Sequence, residues 1–318
     1  MSVNLAVIPV AGRGTRLLPL TKSQPKEMLP LGRRPVVQSV VEELFRCGVD
    51  RMVLVTGPGK TAIENHFDID PELIDHLRTT GKEDELAELA FERDEIQYFY
   101  TRQRRQLGLG HAVLCAESLV REPFVVALGD SVLGRNAQSL AVRRMTRLFE
   151  EYAADAAICF REVPTEQVVR YGVARPSAER ILTPEWLTAA DTAGCVTSDT
   201  ATDASSDACF VLEDIVEKPS VAEAPSRLAV AARYVFHPKI FEYLHQTPPG
   251  KNGEIQLTDA IRLLLRDGGR VLGLRLTDAD MRFDVGNFRS YYQAFVEFAL
   301  ADPTCGADFE RWLRERLA

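Results

Sequence analysis

The chain has 318 residues, 46% of them hydrophobic and 26% charged, with a formal net charge of −8. Such composition fits a globular protein with a large core, and an acidic balance without a long basic block excludes a nucleic-acid surface. Six scattered cysteines (Cys47, Cys115, Cys159, Cys195, Cys209, Cys305) form no Cys-x-x-Cys pair, which excludes zinc spacing, and no apolar run reaches the roughly 18 residues of a membrane span.

Leu5 to Val10 reads as a buried strand, and Gly12 and Gly14 then open a loop that runs to Pro30. Glycine there admits positive φ and close backbone approach to a ligand, and successive N–H groups form a concavity suited to phosphate oxygens. Arg16 adds a planar charged fork and Lys26 a point charge. Pro19, Pro25 and Pro30 fix φ and predict a stiff, extended loop. The expected chemistry is a grip on a nucleoside triphosphate. A Walker loop is excluded, because Gly14-Thr15-Arg16 stands where Gly-Lys-Ser/Thr is needed. The dinucleotide fingerprint fails as well, because Leu17 stands where the third glycine belongs.

Beyond the loop, Val36 to Phe45 carries helical spacing closed by Gly48. Residues 51–56, 96–100, 124–128 and 156–161 read as strands, and 137–152 as an amphipathic helix. Residues 71–93 read as a helical excursion on the surface. Strands alternating with helices predict a doubly wound sheet, whose ligands sit past the carboxyl ends of the strands. The glycine loop, Gln103 and Asp130 all fall just past such ends. Shorter strands follow at 172–175, 210–216, 228–236 and 271–276, with helices at 240–244, 255–265, 290–300 and 309–317. Residues 188–209 are Ala, Thr, Ser and Asp without Lys, Arg or aromatics, the composition of a flexible loop. Cys195 and Cys209 near its ends leave a conditional disulfide open.

The pattern Gly12-x-Gly14-Thr15-Arg16, Pro19, Thr21, Pro25-Lys26-Glu27-Met28-Leu29-Pro30 resembles the signature of sugar-nucleotide pyrophosphorylases, and its wording is most similar to the bacterial UTP–glucose-1-phosphate uridylyltransferases. The resemblance continues in Gln103 with Gly108-Leu109-Gly110-His111, Asp130, Tyr171-Gly172-Val173, Glu217-Lys218-Pro219, Gly253 to Ala260 and Asp284-Val285-Gly286-Asn287. It implies an α/β fold with a Rossmann-like doubly wound mixed sheet, a small β insertion for the sugar and C-terminal helices. A catalytic unit over 1–289 and an oligomerising helical segment over 290–318 are expected. The implied reaction joins UTP and glucose 1-phosphate into UDP-glucose and pyrophosphate with Mg²⁺, in a cytoplasmic homodimer or homotetramer with no nucleic-acid or membrane partner. No signal peptide is visible.

Residue by residue, the resemblance assigns Ala11, Gly12, Gly14, Gln103 and Gly108 to the nucleotide, and Gly172, Glu217 and Lys218 to the sugar. Arg16, Lys26, Asp130, Lys218 and Asp284 carry catalysis, with Asp130 and Asp284 jointly holding the metal. By themselves the residues favour plainer readings, either aspartate as a turn or cap residue, Glu217-Lys218 as a solvated turn, and His111 as a helix start; Asn287 is a candidate helix cap. Two rivals remain open: a thymidylyltransferase using dTTP, and a silent regulatory paralogue that binds sugar nucleotides. The chain departs from the pattern at Arg13, where a neutral residue is usual, and at Gly129, where proline is usual.

Overall fold

The computed structural model describes residues 3–92, 95–179, 181, 183–184, 186–187, 208–250 and 253–318. Its strands are Leu5–Pro9 (β1), Pro30–Leu31 (β2), Arg34–Pro35 (β3), Arg51–Thr56 (β4), Gln97–Arg102 (β5), Phe124–Ala127 (β6) and Ser131–Leu133 (β7). They continue with Ala156–Glu162 (β8), Gly172–Pro176 (β9), Cys209–Glu217 (β10), Leu228–Phe236 (β11), Val271–Arg275 (β12) and Arg282–Asp284 (β13). Nine of them form one sheet in the order β5-β4-β1-β6-β11-β8-β12-β10-β9.

The apolar runs of β1, β4 and β6 are buried on both faces, as parallel strands between helical layers must be. Leu5 and Val7 enter one core layer, and Ala6 and Ile8 the other. On one flank the helix Val36–Arg46 buries Val36, Val37, Val40, Val41 and Leu44. The strands β5, β4, β1 and β6 are parallel, and the order turns back at β1, which leaves a crevice past the carboxyl ends. The far half is mixed: β11 runs antiparallel to β6 and β8, and β10 antiparallel to β12 and β9. The strands expected as a sugar insertion extend this same sheet. Because β9 also pairs with β11 at Ala229, the pairings of β8, β12, β10, β9 and β11 close into a ring.

The loop after β1 is not extended, contrary to the expectation from its prolines. Three 3₁₀ turns occupy it, Thr15–Leu17, Leu20–Lys22 and Lys26–Met28. Proline fixes φ near −65°, which suits the residue before a helical turn as well as an extended chain, and Pro19 and Pro25 each precede such a turn. Leu17, Leu29 and Leu31 anchor the loop in the core. The helix expected from Ala137 begins at Ala141, after a 3₁₀ turn at Arg135–Ala137. The surface excursion is helical at Pro71–Thr79 and Glu83–Glu88. From 188 to 207 the loop lies outside the described residues, and Cys195 with it; Cys209 begins β10 and is buried.

The helix Phe288–Leu300 is capped by Asn287, whose Oδ1 accepts from Ser290 N at 3.1 Å. It starts two residues earlier than expected and sends Tyr291, Ala294 and Phe298 into the main core; Gly306–Leu317 follows it. Among the described residues, no helix is long and apolar enough to cross a membrane.

Upstream of β13, a buried polar network fixes the chain. Asp280 pairs with Arg144 and accepts from Ser139 Oγ at 2.8 Å, from Thr277 Oγ1 at 2.8 Å and from Thr277 N at 3.1 Å. Burial works to raise its carboxyl, but Arg144 and the hydroxyl donors outweigh it and hold it below the usual aspartate range. A depressed folded-state value means stability that is complete above the unfolded value near 3.9 and lost as pH falls through the folded one. Asp280→Asn, which leaves Arg144 buried without a counter-charge, is expected to cost about 3–5 kcal/mol at pH 7. Denaturant melts should show that gap narrowing below about pH 4; an equal gap at pH 3 and pH 7 contradicts the account.

Candidate active site

Chain topology brings three groups of side chains to the crevice beside β1. The first surrounds Lys26. Its ammonium pairs with Asp130, and Gly12 lies over it, so a Cβ on Gly12 would stand 3.6 Å from Nζ. Asp130 follows β6 at a turn where Gly129 is required: a Cβ there would meet Val10 Cγ1 at 2.4 Å. Close passage against the end of β1 accounts for glycine at this departure from the family pattern. From Asp130 the chain enters β7, whose antiparallel partner β13 places Asp284 opposite Ser131, and Val285 N donates to Asp130 O at 3.0 Å. Sequence positions 130 and 284 thus become neighbours on one short ribbon. A Cβ on Gly286 would stand 3.2 Å from Arg16 Nη2 and 2.7 Å from Asp284 Oδ2, so Arg16 reaches the same place.

The electrostatics of this group follow from burial and mutual charge. Burial works to lower Lys26, but Asp130, Glu27 and Asp284 outweigh it and hold the ammonium above its usual range. Burial works to raise Asp130, yet Lys26 and Arg282 hold it low. Asp284 is pushed up, by burial first and then by the charge on Asp130, against the pull of Arg282, Lys26 and Arg16. One carboxylate is firmly ionised and its neighbour is reluctant, the pattern of two acids sharing a site.

The second group is a cavity of about 600 Å³ whose lining includes Ala11, Gly12, Arg13, Thr21, Lys22, Lys60, Arg104, Arg105 and Gln106. Among the described residues that line it, five are cationic and none is acidic. Gln106 closes one side by donating to Ala11 O at 2.6 Å and accepting from Arg13 Nε at 2.6 Å. Lys60 is nearly buried and backed by Glu27 at 2.7 Å. Gly14 sits at φ 66°, with its carbonyl accepting from Thr21 Oγ1 at 2.8 Å. Gln103 and Gly108 are not in this lining. Gln103 is buried, its amide nitrogen 3.0 Å from both Gly108 O and His111 Nδ1. Gly108, at φ 96°, packs on backbone, since a Cβ would meet Ile255 O at 2.7 Å.

The third group gathers across the crevice at the ends of β9 and β10. Glu217 pairs with Lys218 at 3.1 Å and accepts from Thr258 Oγ1 at 2.7 Å. A Cβ on Gly172 would press within 3.3 Å of both Glu217 and Thr258. Lys218 takes φ 46° and its N–H donates to Tyr171 O at 3.0 Å. Arg282 joins the first group to this one. It donates to Ser131 Oγ at 2.9 Å and to Val230 O at 3.2 Å, approaches Asp284 at 3.6 Å, and stacks 5.2 Å from the centre of the Tyr171 ring.

Sequence reasoning missed Lys60, Arg104, Arg105, Gln106, Thr258 and Arg282. A signal existed for some of them: Lys60 follows the turn after β4, and Arg104-Arg105 is a basic pair just past β5. Thr258 lies in the family-like stretch 253–260, which marks the segment without assigning the residue a role; for Arg282 no signal existed, since only the fold brings it in.

Residues 5–299 match the nucleotidyl transferase family model. A UTP–glucose-1-phosphate uridylyltransferase of Staphylococcus epidermidis is 35% identical over 98% of this chain and 98% of its own. The structure of a UTP-bound UGPase from Acinetobacter baumannii superposes with a TM-score of 0.82, at 35% identity over 98% of this chain and 99% of that one. A UDP-glucose pyrophosphorylase complexed with UDP-glucose gives 0.76 at 33% identity, over 94% of this chain and 100% of that one. Crevice, ribbon and matched length agree: the chain belongs to the nucleotidyl transferase family, among the UTP–glucose-1-phosphate uridylyltransferases.

Proposed function

We propose that this chain transfers UMP from UTP to glucose 1-phosphate, releasing UDP-glucose and pyrophosphate. The observation that carries the reading is the cation-lined cavity, set in an acidic chain beside the Lys26–Asp130–Asp284 group. A polyphosphate fits such a place, and the full-length likeness to uridylyltransferases supports uridine. Attack by one phosphate on another brings two anions together, so neutralisation and in-line positioning are the main demands. The sugar phosphate is already ionised near neutral pH and needs no strong general base.

Lys218 neutralises the sugar 1-phosphate, and Glu217, held by Thr258, accepts from sugar hydroxyls beside Gly172. Lys26 meets the charge at the α-phosphate, and Arg16 holds the departing pyrophosphate. Ala11, Gly12 and Gly14 form the backbone of the nucleotide seat. Gln103 reads the base: its N–H groups are engaged by Gly108 O and His111, which leaves its oxygen to accept from the uracil N3–H. Burial lowers the His111 imidazole, which keeps the ring neutral and able to accept.

The two aspartates fit a divalent ion of the Mg²⁺ type, which uses one or two carboxylates and completes its shell with phosphate oxygens and water. The raised carboxyl of Asp284 beside Asp130 marks a place where a cation is favourable. Among the described residues no group of three or more His, Cys, Asp and Glu is arranged to hold a metal, so ligand oxygens must supply the rest. When bound, the ion neutralises phosphate charge at the reacting centre. Lys26, here paired with Asp130, would be left to meet the nucleotide if such an ion took up the Asp130 carboxylate.

The C-terminal segment 290–318 exposes Tyr292, Phe295, Val296, Trp312 and Leu317, which supports self-association into a homodimer or homotetramer; a cytoplasmic setting belongs to the same reading. Pyrophosphate release with glucose 1-phosphate tests the reaction. UTP is expected to exceed dTTP in kcat/KM by at least roughly 10–200-fold, the discrimination the 5-methyl alone allows in a fitted pocket before the 2′-hydroxyl that dTTP lacks is counted, and only with Mg²⁺. A dTTP preference moves the enzyme to the thymidylyl branch, and silence with both leaves a binding protein.

A further inference from the structure

Arg233 is fully buried, and so is its partner Glu43. Neither touches the cavity or the sugar group. A buried ion pair is a poor device for stability, because desolvation offsets most of its attraction and apolar residues of similar size do as well or better. What distinguishes this pair is the backbone it grips.

Arg233 follows Ala232, which takes φ 64° where the pairing of β11 with β8 breaks register between Val230 and Tyr234. Non-glycine residues hold that conformation only when the surroundings impose it. The Ala232 carbonyl accepts from Leu128 N at 3.2 Å and from Arg233 Nη1 at 3.0 Å, which ties the bulge to the exit of β6. The guanidinium meets Glu43 at 2.9 and 2.6 Å, and its Nη2 also donates to Ser131 O at 2.9 Å. Glu43 Oε2 in turn accepts from Leu133 N at 3.4 Å. One ion pair therefore holds both ends of β7, the carbonyl at Ser131 and the N–H at Leu133. Asp130 immediately precedes β7, and Asp284 hangs opposite Ser131 on β13.

The geometry points to Arg233 and Glu43 as a positioning pair that sets the spacing of the Asp130 and Asp284 carboxylates for a divalent cation. This rests on the reading of those aspartates as the metal site. The pair acts through backbone, one layer behind the groups that meet the ligand. Groups hydrogen-bonded directly to metal ligands are worth about 10–100-fold in metal affinity or activity, and a pair one peptide further back is placed at the lower end of that range.

The test replaces the pair by apolar residues of similar volume, Arg233→Met with Glu43→Leu, which leaves no orphaned charge. Three quantities are compared with wild type: the melting temperature, Mn²⁺ uptake without nucleotide followed by the paramagnetic resonance of free Mn²⁺, and kcat with UTP and glucose 1-phosphate. The expected result is a folded protein melting near wild type, with Mn²⁺ affinity weakened about tenfold or more and kcat lowered by a similar factor. A folded double variant with wild-type Mn²⁺ affinity and wild-type kcat overturns the inference and leaves the pair a packing element. Because ligand oxygens complete the shell, the uptake is repeated with UTP present; wild-type protein that takes up no Mn²⁺ beyond what UTP alone binds overturns the metal reading itself, and this inference with it. Should the double variant not fold, Arg233→Lys serves. It keeps a charge for Glu43 but lacks the fork that reaches Ser131 as well, and the same losses in Mn²⁺ affinity and kcat are expected; their absence overturns the inference equally.

Discussion

Asp130→Asn is expected to lower kcat on the order of 10³-fold, about 4 kcal/mol of barrier, at any attainable Mg²⁺ concentration. Asparagine keeps the shape of the side chain, so the turn after β6 and its contact with Val285 N remain. What disappears is the negative charge. Without it Lys26 loses its half-buried counter-ion and Asp284 loses the neighbour that pushes its carboxyl up. Asp284 should then ionise more easily, but one carboxylate replaces two in the metal seat. Steady-state rates over a Mg²⁺ series read the outcome. Turnover that recovers at high Mg²⁺ reduces Asp130 to an affinity contributor, and turnover unaffected throughout removes it from the site.

Lys218→Ala should lower kcat/KM for glucose 1-phosphate about 10²-fold, near 2.7 kcal/mol, which is within the range of a hydrogen bond to a charged group. The KM for UTP should move less than about twofold, since none of the cavity's cations is touched. Residue 218 holds φ 46°, and alanine meets the same backbone demand as lysine, so the change reports the side chain alone. Its half-exposed ammonium is partly screened, which is why a larger loss is not expected. Varying each substrate separately decides the matter: equal damage to both KM values sinks the assignment of Lys218 to the sugar phosphate.

Much of this architecture was legible because it is written locally. Apolar runs such as Phe124 to Ala127 and the 3.6-residue spacing from Val36 to Leu44 announce buried strands and an amphipathic helix without reference to anything distant. The family and its α/β fold followed from the 11–30 motif, and the relatives agree. Asp130 and Asp284 were legible as candidates, and the structure makes them neighbours. Strand direction was less readable: nothing local in β11 states that it runs against β6, because register and polarity are decided between strands. The prolines of the loop misled, since the same φ serves both an extended chain and a 3₁₀ turn. Arg282 was invisible, and Thr258, though inside the family-like stretch 253–260, was without a role, for a plainer reason. Each gains its meaning from partners dozens of positions away, Tyr171 and Ser131 for one and Glu217 for the other.

The cation-lined cavity also has a consequence for capture. A nucleoside triphosphate far from this chain meets a body of net charge −8 and is repelled. Near the mouth it meets five positive side chains that line one cavity. At physiological ionic strength the Debye length is about 8 Å, so the distant acidic surface is hidden while the nearby arginines and lysines are still felt. Cellular salt thus mutes the repulsive far field more than the attractive near field, and the chain can stay acidic overall while still drawing in a polyanion.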